Sequence, residues 1–109
     1  ISLGTTHGKF VPRMFISIAL LTIHCIIRLS TALKQKRSII RPLLARLHKE
    51  YNLSAAEVDH LDNHSSAILS FACLSNDPDH SRRVLQAAYQ FMIENYKNVE
   101  IIEEQIEFL

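Results

Sequence analysis

Hydrophobic and polar positions along the chain alternate between two periods, and the changes of period mark out six elements. Residues 15–27 are almost continuously apolar and rich in isoleucine, broken by Ser17, Thr22 and His24. The run falls short of the ~20 residues that a membrane-crossing helix needs, and it reads as a buried central strand. Its faces are Phe15, Ser17, Ala19, Leu21, Ile23 and Cys25 on one side, and Ile16, Ile18, Leu20, Thr22, His24 and Ile26 on the other. Both are apolar enough to need cover. Lys9 and Arg13 before the run and Ser30-Thr31-Ala32 after it imitate a secretory signal, against which the strand is the preferred reading.

From residue 32 to about residue 50 the period becomes helical, with Ser30 or Thr31 as candidate N-cap. Leu33, Ile40, Leu44, Leu47 and Tyr51 form one stripe, with Leu43 beside it and Pro42 inside the helix. Asn52 suits the turn out of it. Residues 53–61 alternate as a second strand, and Asp62-Asn63-His64-Ser65 is turn chemistry. Residues 66–75 form a third strand, apolar on both faces. Asn76 or Asp77 caps a second helix with Pro78 in its first turn. Its core face is Val84, Leu85, Ala88, Phe91, Met92 and Tyr96. Residues 99–109 form a last strand, with Ile102, Ile106 and Phe108 opposite Glu103 and Glu107. The order β-α-β-β-α-β predicts an α+β, ferredoxin-like sandwich, with a four-stranded antiparallel sheet and two helices on one face.

Composition sharpens this picture at its edges. Residues 1–13 hold both glycines, Gly4 and Gly8, and show no periodicity. They read as a flexible leader that need not be native, ahead of a single domain over residues 14–109. Cys25 and Cys73 fit no paired motif and are expected as buried, reduced thiols of a cytoplasmic protein. The net charge of +1 conceals a division of the chain: residues 1–49 carry nine Lys or Arg and no acid, while residues 50–109 carry three against eleven acids. A basic surface that attracts polyanions is one consequence, and neutralisation across the fold or a dimer interface is the other.

Three stretches carry a family resemblance. Ala32-Leu33-Lys34-Gln35-Lys36-Arg37 is similar to a Ser-Leu-Lys-Asp-Lys-Arg motif. Tyr51-Asn52-Leu53-Ser54-Ala55-Ala56-Glu57-Val58 is similar to a Phe-Asn-Val-Ser-Val-Ala-Glu-Val segment, and Ser75-Asn76-Asp77 precedes the second helix. His24 near the end of the first strand also fits. Together they resemble the YlxP-like family of small bacterial proteins, with Ala32, Gln35 and His64-Ser65 as departures. The resemblance implies a ferredoxin-like fold, no established activity, and a gene neighbourhood of translation and ribosome maturation. It implies a non-enzymatic partner of RNA or the ribosome.

The candidate chemistry follows from placement. Lys34, Arg37, Arg41 and His48 fall within about 60° of one another on the first helix, a ridge suited to phosphates; Lys36, across the apolar stripe, is the weaker member. The bland reading is a solvated face of snorkelling side chains. Asp59, His60, Asp62 and His64 lack a known ligand spacing, so neither a metal nor a cofactor is expected. Glu57 is expected to pair with a base or face solvent, and His24 to be a hydrogen-bonded core or interface residue. No nucleophile signature is present, so no enzyme follows; a hydrolase would have to use Glu57 or the His60/His64 region. The apolar second face of the sheet predicts a homodimer, with Ile18, Leu20, Leu69 and Phe71 contributing. The alternative function is a small-molecule-sensing or structural oligomerisation module without nucleic-acid binding.

Overall fold

The computed structural model describes residues 16–109; the predicted leader, Met14 and Phe15 lie outside them. The elements are β1 (Ser17–Ile27), α1 (Leu33–Tyr51), β2 (Ser54–Asp59), β3 (Ser66–Ser75), α2 (Pro78–Asn95) and β4 (Val99–Phe108). The strands form one antiparallel sheet in the order β2-β3-β1-β4. That order, with a helix in each crossover, is the ferredoxin-like sandwich.

Alternation decides what the helices cover. Ala19, Leu21, Ile23, Cys25 and Ile27 of β1 are buried, as are Leu69, Phe71 and Cys73 of β3. They pack against Ile40, Leu43 and Leu47 of α1 and Leu85, Ala88 and Met92 of α2. Each leucine, isoleucine, phenylalanine and methionine among them contributes roughly 1.5–3 kcal/mol when withdrawn from water. The β1–β3 register pairs Leu21 with Phe71 and Ile23 with Leu69, so partners share parity and odd-numbered residues of both strands face the helices. Leu69 and Phe71 are therefore core residues, fully buried, and cannot contribute to a dimer interface. The expectation that placed them there had no register to work from. Ile18 and Leu20 do lie on the open face, beside Leu74 and Ala72.

Two irregularities shift the outer strands. Opposite β1, the β4 register slips between His24, which faces Glu103, and Cys25, which faces Ile101. Ile102 is the extra residue of this bulge, so it turns out to solvent while Ile101 and Ile106 pack on the core. A single alternating face of Ile102, Ile106 and Phe108 is accordingly not formed. A second slip between Glu57 and Asp59 ends β2 early.

The helix ends differ. At α2, Asp77 caps as expected, its Oδ1 accepting from the Asp79 amide at 3.0 Å, with Pro78 following. At α1 the N-cap is Ala32, and neither Ser30 nor Thr31 caps through its hydroxyl. Gln35 Oε1 instead reaches back to accept from the Thr31 amide at 2.7 Å. The Ser30 hydroxyl donates to the His64 carbonyl at 2.6 Å, tying the start of α1 to the β2–β3 hairpin. Asn52 takes the left-handed conformation at the C-cap (φ 53°), which its short polar side chain tolerates.

Candidate functional site

The first turns of α1 hold two different sets of cations. Lys36 points inward. With Ile40, Leu43 and Leu47 it forms the buried stripe of the helix, and its side chain has no exposed surface. This stripe lies about 40° from the one expected from the leucines, because Lys36 belongs to it. An ammonium in such a place needs a partner for each of its three hydrogens. Lys36 Nζ donates to Glu57 Oε2 at 2.7 Å, to the His60 carbonyl at 2.9 Å and to the Ser66 carbonyl at 3.1 Å. Lys36 is thus a structural tie between α1 and the β2–β3 hairpin. Its expected role as a surface contact for nucleic acid is excluded by burial.

That tie positions a second cluster. His60 is a non-glycine residue in the left-handed region (φ 60°), where its carbonyl also accepts from the Asn63 amide at 3.0 Å. The turn brings His60 Nδ1 to 2.8 Å from Ser66 Oγ, and His24 Nε2 reaches the same oxygen from β1, also at 2.8 Å. The two imidazoles meet edge to face with centroids 5.2 Å apart. One hydroxyl supplies one hydrogen, so at least one ring must present an N–H to it. Glu103 Oε1 stands 3.8 Å from His24 Nδ1 on the far side. Beneath the cluster, burial and the Glu57 carboxylate push the Cys25 thiol up to about 12, with Lys36 opposing them. Cys25 is a free, buried and inert thiol, as is Cys73 in its burial.

Lys34, Arg37 and Arg41 point outward. They line one shallow recess of about 580 Å³ together with Ser38 and Pro42. None of the three has an ion-pair partner among the described residues. His48 lies further along the same flank, outside that recess, and its Nδ1 bonds the Leu53 carbonyl at 2.8 Å. Its bond places the ridge on the β2 side of α1, while Arg46 on the other flank lies over Phe91 of α2. The structure therefore brings together three of the five predicted residues, separates His48 and buries Lys36.

The metal alternative finds no support in placement. His60 is turned to Ser66 and His64 to the Ser30 carbonyl, while Asp59 accepts from the His60 amide. Among the described residues no three His, Cys, Asp or Glu converge on one point. A cleft of about 470 Å³ opens between α2 and β4, floored by Leu21 and Ile106 and edged by Tyr89 and Glu104. The hydrogen bond to Glu104, then burial, hold the Tyr89 phenol up at about 12. Periodicity missed Ser66 and the Lys36 partners, since Glu57 and Ser66 lie 21 and 30 residues away from it. The available signal was the spacing 36-40-43-47, which already reads as a helical stripe.

Among the described residues no helix is long and apolar enough to cross a membrane. Among curated proteins, none matches the chain. One family model does, over residues 18–106, which runs from the second residue of β1 to within two residues of the end of β4 and includes every residue of the Lys36 tie. The chain therefore belongs to the family described as Protein of unknown function (DUF503).

Proposed function

We propose that the protein is a non-enzymatic RNA- or ribosome-binding protein that uses the outer flank of α1. The observation that carries this reading is the set Lys34, Arg37 and Arg41: exposed, gathered at one recess, and without a counter-ion among the described residues. Cations that neutralise phosphates release counter-ions, which makes such a surface effective and salt-sensitive. Lys34 to Arg41 spans about 10 Å of helix, enough to follow consecutive phosphates. The likeness of the Ala32–Arg37 stretch to YlxP-like proteins, with their translation-linked gene neighbourhood, supports the same class of partner.

The test is a salt titration of binding to structured RNA and to ribosomal subunits. Three contacts predict a slope of log K against log salt between about −2 and −3. The pair Lys34→Glu, Arg37→Glu should lose at least tenfold in affinity, because each reversed charge repels the backbone it met. Unchanged binding by that pair, or native binding that ignores salt, defeats the reading.

A second reading, an oligomerisation module with a small-molecule cleft and no nucleic-acid contact, is favoured by a different observation. The open sheet face exposes Ile16, Ile18 and, 73% exposed, Leu74. At ~4.8 Å between strands and ~3.3 Å per residue, that face projects to about 600 Å², near what each partner contributes to a standard interface. A homodimer across this face is compatible with either reading, since α1 lies on the other side of the sheet.

A further inference from the structure

Between β1 and α1 the chain turns through Leu29, which has φ 63° and a side chain 94% exposed. Both properties are unfavourable. The left-handed region brings Cβ against the following carbonyl, so a glycine is the residue that fits there without strain. An exposed leucine returns no burial for that strain. Asn52 and His60, the other non-glycine residues at positive φ among the described residues, each have a polar side chain of the kind tolerated there. The Leu29 side chain has no hydrogen-bonding group, so nothing among the described residues accounts for it.

Its surroundings point outward. Leu29 stands between two recesses, one of about 660 Å³ shared with Arg28, Lys97 and Asn98, the other of about 270 Å³ shared with Gln35, Ser38 and Ile39. Ser38 also lines the recess of Lys34, Arg37 and Arg41. The Leu29 tip and the basic ridge are therefore neighbouring parts of one surface, joined across Ser38. Lys97 has no ion-pair partner among the described residues, and Arg28 is held by Glu100 at 3.1 Å.

We propose that Leu29 is an apolar wedge that packs against an unpaired base, so that the protein selects RNA at a loop or helix end over continuous duplex. The proposal rests on the RNA reading of α1 and gives it a substrate class. Exposed leucines serve as wedges at base steps when cations beside them hold the backbone. Duplex RNA has its bases stacked and offers such a side chain only a shallow minor groove, whereas a loop presents free base faces. Lys97 and the Lys34 ridge supply the backbone contacts on either side.

The experiment compares full-length native protein, Leu29→Gly and the ridge pair Lys34→Glu, Arg37→Glu. The probes are an RNA hairpin with an unpaired loop and the same stem closed as a blunt duplex. Native protein should prefer the hairpin. Leu29→Gly should lose about tenfold or more on the hairpin, with little change on the duplex, the scale set by one buried leucine side chain. Its thermal midpoint should equal or exceed the native value, because glycine relieves the left-handed turn; a purely structural leucine would give the opposite. Leu29→Gly binding the hairpin as native does, while the ridge pair fails, overturns the wedge alone. Native protein binding neither probe overturns the wedge together with the RNA reading, and a lowered midpoint for Leu29→Gly overturns the argument from strain.

Discussion

Lys36→Met should cost about 3–5 kcal/mol of folding stability, although it replaces a charged residue in a helix by an apolar one of similar length. Ordinary reasoning about an exposed lysine would predict almost no effect. Here the change leaves the Glu57 carboxylate, 13% exposed, without the ammonium 2.7 Å away, and stranding one member of a buried pair carries a penalty of that size. Against a domain stability of about 5–15 kcal/mol this is a large fraction. It corresponds to a fall in thermal midpoint of roughly 14–24 °C for a domain of ~100 residues. The double variant Lys36→Met, Glu57→Leu removes both charges together. It leaves the Ser66 and His60 carbonyls short of one donor, and His60 keeps its bond from the Asn63 amide. That should cost about 1–2 kcal/mol, less than the single change. Urea unfolding followed by circular dichroism measures all three proteins under one linear extrapolation. A single variant within about 1 kcal/mol of native refutes the reasoning, and so does a double variant as unstable as the single one.

Two further outcomes follow from burial and from the open face. Since the Cys25 thiol is pushed up from 9.0 to about 12, the unfolded chain loses this proton first on raising the pH. Stability should be level below about pH 9 and then fall toward pH 12, by up to about 1.4 kcal/mol per unit from this group, with the raised Tyr89 phenol adding to the fall above pH 10. Thiol-reagent kinetics give the companion check: Cys25 modified in native protein at pH 8 as fast as in urea would contradict it. Sedimentation equilibrium should find native protein dimeric at micromolar concentration and the pair Ile18→Glu, Leu74→Glu monomeric but folded; a native monomer ends the dimer proposal.

The sheet was legible because its two central strands are long apolar runs bounded by turn residues, and the helices because their apolar stripes repeat. What escaped was set by contacts distant in sequence. Leu69 and Phe71 lie in a strand that is apolar on both faces, so only the register against β1 reveals which face meets the helices. Ile102 left its expected face through a bulge that no local propensity announces. Lys36 was counted as polar and placed outside, although a lysine with three acceptors is stable inside. The acceptors come from β2, its turn and β3, and no spacing along the chain foretells their meeting. Conversely, helical geometry alone places Lys34, Arg37 and Arg41 on one flank, and in the structure the three are exposed and line one recess. Leu29 was overlooked because a single leucine in a turn has no pattern, and its meaning lies in a backbone angle.

Strand order has one more consequence. β2 and β4 are the opposite rims of the sheet, with three strand spacings between them, about 15 Å. The cationic flank of α1 lies along the β2 rim, while Glu103 and Glu107 stand on the β4 rim, paired across from His24 and Leu20. The two halves of the chain do not part by rim, since Glu57 and Asp59 belong to β2 and Arg28 and Lys97 lie beside β4; what the fold sets apart is the trio Lys34, Arg37 and Arg41 from the carboxylates of Glu103 and Glu107. A nearly neutral protein has little net attraction to a polyanion at a distance, yet a dipole in that field still turns. Under the proposed RNA reading, that separation turns the Lys34–Arg41 flank toward the polyanion and Glu103 and Glu107 away from it. Fewer encounters are then wasted on the wrong face, so the arrangement speeds association more than it prolongs the complex.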